Sequence, residues 1–185
     1  MTDKLAFRML SAFTLSLAIG AGAANAQGQP APGAAPVAPP STYATPIGAP
    51  IGLELARRVA AAASAEAHKN KWFMAIAVVD PAGVLVYYEK ADNTQNGSAE
   101  VAIAKARSAA LYKRPTKAFQ DAVAGGGLGV RVLGLAGAVP LDGGVPLLLD
   151  GKLIGALGLS GDLAENDGKC AAAGAAAVAT ATTSR

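Results

Sequence analysis

The stretch Val145-Pro146-Leu147-Leu148-Leu149-Asp150-Gly151-Lys152-Leu153-Ile154-Gly155-Ala156-Leu157-Gly158-Leu159 decides the fold class. Two apolar runs flank Asp150-Gly151, a dipeptide suited to the positive-φ positions of a two-residue hairpin turn. Antiparallel strands are therefore predicted over 145–149 and 152–159. Gly158, Ser160 and Gly161 close the second strand. Residues 162–178 then read as a helix, with acidic groups in the first turns and alanines after them.

Upstream, Gly125-Gly126-Gly127-Leu128-Gly129 is a tightly turned connection, and Val130 to Leu135 reads as another strand. Ser98 is the predicted N-cap of a helix reaching Tyr112 or Lys113, followed by Glu100 near its positive end. Val101, Ala104, Ala109 and Tyr112 are its candidate buried positions, with Lys105 one turn below Val101. Pro115 breaks the run, and Thr116 sits at the start of a short helix. Phe73 to Val79 and Val84 to Glu89 form a hairpin through Asp80-Pro81-Ala82-Gly83. Their near-continuous apolar character predicts a sheet covered on both faces. Residues 51–70 form an opening helix, with Leu55, Val59, Ala62, Ala63 and Ala67 at spacings of three and four. The order is helix, two strands, helix with a short extension, three strands, helix. It predicts an α+β sandwich with an antiparallel sheet.

The N-terminal quarter has a different character. Lys4 and Arg8 precede an uncharged apolar stretch from Met9 to Ala24, and Ala24-Asn25-Ala26 is a small-x-small cleavage site. Residues 1–26 therefore read as a signal peptide cleaved after Ala26. The apolar stretch is short for a bilayer span, so no membrane span is expected after cleavage. The expected location is the bacterial periplasm or the secreted space. Residues 27–50 are a Pro/Ala-rich linker without charge or periodicity. The folded domain covers 51–180.

Composition excludes several functions. The 185 residues contain one His, one Cys and one Trp, with 5% aromatic residues and a net charge of +3. A lone Cys170 forbids an intramolecular disulfide framework. One His and one Cys cannot supply four zinc ligands, so no metal site is expected. The charge is too small for a dedicated nucleic-acid binder. No G-x-x-x-x-G-K-[ST] or G-x-G-x-x-G unit occurs. Gly158-Leu159-Ser160-Gly161-Asp162 fails as a nucleophile elbow, because Asp162 takes the last glycine position.

Ordered pieces of the domain resemble one family. They are Ala77-Val78-Val79-Asp80-Pro81-Ala82-Gly83, Ala104-Lys105-Ala106-Arg107-Ser108-Ala109, Gly143-Gly144-Val145-Pro146, and Asp150 to Gly161 with Asp167 just beyond. Residues 51–178 resemble the GlcG/HbpS family, which includes the C-terminal domain of PduO-type proteins. The resemblance implies a profilin-like fold of five antiparallel strands with helices on both faces, assembled into homo-oligomers. Some members are haem-binding extracytoplasmic proteins. Others sit beside glycolate or aromatic-acid catabolism. One departure is Glu89-Lys90-Ala91-Asp92, where the family often carries an Arg-Met-Asp-like triplet. Asp92 is kept, and a cationic role there falls to Lys90.

Two functional readings follow. In the first, the protein is an exported module that binds haem or a related small ligand. The candidate haem-iron ligands are His68 and Thr116. Helix-end and N-cap roles compete with these readings. The hydroxyls of Tyr87, Tyr88 and Tyr112 are further oxygen donors. In the second, the protein is an enzyme or carrier for a small hydroxy- or oxo-carboxylic acid. Lys105, Gly143, Gly144, Ser160 and Gly161 would meet the carboxylate through one ammonium, exposed backbone N–H groups and a helix N-terminus. Tight turns and close packing are the competing reading of these glycines. No catalytic residue is assigned, although Glu165 and Asp167 have acid–base chemistry.

Overall fold

The computed structural model describes residues 42–180. The predicted signal peptide and residues 27–41 of the linker lie outside them. Helix α1 spans Leu53–Lys69, and strands β1 and β2 span Ala75–Val79 and Leu85–Lys90. Helices α2 (Ser98–Tyr112) and α3 (Lys117–Ala124) follow. Strands β3 and β4 cover Gly144–Leu149 and Lys152–Ser160, and α4 covers Ala164–Thr180. The strand order is β2-β1-β4-β3, with every neighbouring pair antiparallel.

The deciding hairpin forms as its turn residues require. Leu149 pairs with Lys152, and Asp150 and Gly151 both adopt positive φ, 51° and 72°. These angles match the right-handed twist of the flanking strands. In the β1–β2 connection, the Asp80 carboxylate accepts hydrogen bonds from the N–H groups of Ala82 and Val84 at 2.8 and 2.9 Å. Side-chain bonds of this kind hold a turn before any long-range packing exists.

The sheet has four strands, not five. Residues 130–134 of the predicted strand belong to a 3-10 helix, Gly127–Gly134, with none of its residues buried, and Leu135 follows it as an extended cap residue. Short apolar runs do not distinguish strand from helix by periodicity alone. Here Gly126 and Gly127 take φ of +67° and +53°, turning the chain away from the sheet. The Gly129 N–H closes back on the Gly126 carbonyl at 2.9 Å. β2 also departs from the two-sided cover expected for its hairpin. It is an edge strand and only partly buried, whereas all five residues of β1 are buried.

Helices cover both faces. On one, α1 and α4 enclose Ile76, Val78, Leu157 and Leu159 with Val59, Ala63, Cys170 and Ala171. On the other, Ala102, Ala106 and Ala109 of α2 meet Ala75, Ala77, Val79 and Ala156. The second layer is almost all alanine, so α2 lies close to the sheet. Gly158 makes this approach possible: a Cβ there would collide with the Ala102 carbonyl and the Ala106 N–H of α2.

Ordered contacts begin before Ile51. β4 extends four residues beyond its last pairing with β1, at Ala156. The strap from Pro46 to Ile51 lies along that exposed edge. Leu153 N–H donates to Pro46 O, Gly48 N–H to Leu153 O, and Ile51 N–H to Ile154 O, at 2.7 to 2.8 Å. These bonds satisfy backbone groups that the end of β1 leaves open.

Candidate functional site

Lys105 projects from the middle of α2 and is 1% exposed. Its ammonium donates to Asp167 Oδ2 at 2.7 Å and to the Leu159 carbonyl at 3.0 Å. Asp167, in the first turns of α4, is equally buried. Its other oxygen accepts from the Asp162 N–H at 3.2 Å. Burial pushes the Asp167 carboxyl above the usual range, and the Lys105 ammonium draws it back. An ion pair in this setting is costly to desolvate and costlier to break.

Gly143 and Gly144 lie against this pair. Gly143 has φ +116°, and a Cβ there would sit 2.7 Å from Asp167 Cβ and 2.9 Å from Lys105 Nζ. A Cβ on Gly144 would meet Thr116 Cγ2 at 2.6 Å. Thr116 and Gly144 bond reciprocally: Gly144 N–H donates to Thr116 Oγ1 at 2.9 Å, and Thr116 N–H donates to Gly144 O at 2.9 Å. The Thr116 hydroxyl therefore joins α3 to β3 and does not cap α3, which has no side-chain cap. Lys105, Thr116, Gly143 and Gly144 thus share one cluster, far apart in sequence but adjacent in space.

The rest of the predicted set is placed differently. Ser160 Oγ donates to Ser98 Oγ at 3.2 Å and ties the end of β4 to the start of α2. Ser98 itself is the first residue of α2, and Gly97 stands at the cap. Gly161 packs against the Phe73 carbonyl. Ser160-Gly161 does not open α4, which begins at Ala164. Asp162 serves that start instead. Its carboxylate accepts from Asn166 Nδ2 and the Leu163 N–H, which hold it below the usual range.

Two participants were not visible in the sequence. Asp142 Oδ1 accepts from the Gly143 N–H at 2.7 Å, and Gln120 Oε1 accepts from the Asp142 N–H at 2.7 Å. Burial raises the Asp142 carboxyl, while the Gly143 N–H, Lys117 and Lys105 lower it. Asp142 precedes two glycines in a loop, so no periodic signal marks it. Asp167 is visible in the sequence as a carboxylate with acid–base chemistry, but its buried partner is not. A lone lysine inside Ala102-Ile103-Ala104-Lys105-Ala106 was the available hint of a buried partner.

The charge and backbone donors proposed to meet a carboxylate ligand are thus already engaged. The Lys105 ammonium is held by Asp167, the Gly143 N–H by Asp142 and the Gly144 N–H by Thr116. Chemically, the cluster locks α2, α3, α4 and the sheet together.

His68 lies elsewhere, near the C-terminal end of α1, and it is exposed. It lines a cleft of about 210 Å³ with Trp72, Met74, Ile76, Glu89 and Lys90. Lys169 stands over the Trp72 ring, 5.6 Å from its centroid. Lys90, at the departure from the family triplet, is on the rim of this cleft. Of the tyrosines, Tyr87 donates its hydroxyl to Glu89 at 2.8 Å and Tyr112 donates to the Ala136 carbonyl at 2.6 Å. Tyr88 packs at the edge of the alanine layer.

Residues 51–176 match the family described as haem degrading protein HbpS-like. Protein GlcG of Escherichia coli K12 is 37% identical over 107 residues, covering 58% of this chain and 78% of that protein. The crystal structure of a Streptomyces reticuli HbpS double mutant is similar, with a TM-score of 0.64 and 29% identity. It covers 78% of this chain and 97% of that one. The PduOC:heme complex aligns with a TM-score of 0.62 and 28% identity, over 69% and 94% of the two chains.

Proposed function

The chain belongs to the HbpS-like family, and on that premise we propose that it binds haem or a related small ligand, as an exported protein. His68 on the 210 Å³ cleft carries this reading. Haem iron accepts an imidazole nitrogen as an axial ligand. Trp72, Met74 and Ile76 supply an apolar wall beside that imidazole. Lys90 on the rim offers a positive charge to a carboxylate of the ligand. The PduOC structure containing haem supports the ligand class.

Thr116 is the weaker candidate for the iron. It is fully buried, and its hydroxyl is engaged by Gly144. The cleft is smaller than the roughly 300–1,000 Å³ usual for enclosed ligand sites. It fits the edge of a macrocycle, and a second copy of the chain would cover the remainder. Exposed Leu128 and Leu133 on the 3-10 segment, with Leu135 just after it, support such an assembly. The alternative of a small-acid enzyme or carrier draws less from the geometry, because Lys105 already has its carboxylate.

A hemin titration followed at the Soret band tests the reading. Saturable, near-stoichiometric uptake is expected. His68→Ala should abolish the ligand-field signature, and Thr116→Val should retain it. No spectral change with the wild type defeats the proposal. Retention in His68→Ala with loss in Thr116→Val reassigns the iron ligand. Recovery of a chain starting at Gln27 from the periplasm or medium tests export.

A further inference from the structure

A second cleft opens at the other end of α1, bounded by the Gly48–Gly52 strap, the first turns of α1 and the tip of the β3–β4 hairpin. It measures about 680 Å³, within the usual range for small-molecule sites. Arg58 and His68 are ten residues apart on α1, about 15 Å along its axis. This cleft is therefore separate from the His68 site.

From its lining we infer that the second cleft binds an amphipathic carboxylate of fatty-acid size. Ile51, Leu55 and Ile154 provide an apolar floor for the body of the ligand. Arg58 and Lys152 stand exposed on the rim. Neither side chain makes a hydrogen bond or ion pair among the described residues. Lys69, Lys105 and Lys117, by contrast, each have a carboxylate partner.

Glu54 and Asp150 also border the cleft and oppose an anion. Glu54 lies in the first turn of α1, where the helix N-terminus offsets its charge. Asp150 occupies the exposed hairpin turn. Arg58 and Lys152 are the groups of the lining that can donate a charge-assisted hydrogen bond to an anion. A carboxylate gains a charge-assisted hydrogen bond from either, while a neutral head group gains less.

Isothermal titration of the full chain with dodecanoate, below its micellar concentration, tests the inference. Dodecanol serves as the uncharged probe. One-to-one dodecanoate binding is expected, weakened about tenfold in the R58Q/K152Q double variant. Dodecanol should bind more weakly and equally to both proteins. The exposed positions leave the fold intact, which a thermal melt verifies. Absence of dodecanoate binding overturns the inference, as does unchanged affinity in the double variant. Displacement of dodecanoate by hemin also overturns it, because the two clefts would then not be independent. A negative hemin titration leaves it standing.

Discussion

Lys105 and Asp167 show how much one buried pair can govern. Removing only the lysine leaves a carboxylate without its cation in a site closed to water. Lys105→Met should therefore cost about 3–5 kcal/mol of stability in urea melts. The double variant Lys105→Met/Asp167→Leu should recover much of that loss, since apolar replacement removes both charges together. A single variant as stable as the wild type would show that the pair contributes no net stability. Cys170 has a different signature. It is fully buried, and burial, followed by the charges of Glu66, Asp167 and Asp162, pushes its thiol up to about 11 from 9.0. The folded state then retains the proton that the unfolded chain loses first. Stability from this residue falls as pH rises from 9.0 toward 11, by up to about 3 kcal/mol. Urea melts of wild type and Cys170→Ala across that interval should show the wild-type advantage shrinking. A constant difference would refute the shift.

At the scale of elements, the α2–β4 contact depends on the absence of a side chain at Gly158. Gly158→Ala should displace the α2 backbone near Ala102 and Ala106 and cost about 1–3 kcal/mol, read as a lower melting temperature. Because α2 carries Lys105, the same change should loosen the Lys105–Asp167 pair. An unchanged melting temperature would mean that α2 shifts without cost. The β3–β4 hairpin was legible because Asp150-Gly151 states its own geometry in two residues. The Gly127–Gly134 segment was not. Val130, Val132 and Leu133 suit a strand, yet they follow positive-φ turns at Gly126 and Gly127 and fold as a 3-10 helix. The strap over 46–51 was hidden for another reason. Its contacts come from backbone groups that β4 exposes, and backbone groups leave no mark in composition.

For the whole molecule, the exposed leucines of the 3-10 segment call for a solution measurement. Leu128 is 78% exposed and Leu133 65%. Where exposed apolar side chains join into a contiguous patch of several hundred Å², they mark a contact surface. Leu128→Asp/Leu133→Asp should shift an oligomer toward monomer in analytical ultracentrifugation. A wild-type monomer at all concentrations would exclude the assembly. The sequence by itself determined the α+β class, both hairpins and the bounds of the main helices to within a few residues. It also placed the chain in its family. Those features rest on local periodicity and turn chemistry, which neighbouring residues express together. Only the tertiary structure decided the strand count and the partners of Lys105, Thr116, Gly143 and Gly144. It alone separated His68 from that cluster and set it on a cleft. The reason is physical: a buried charge takes its meaning from the group that compensates it, and for Lys105 that group lies 62 residues away.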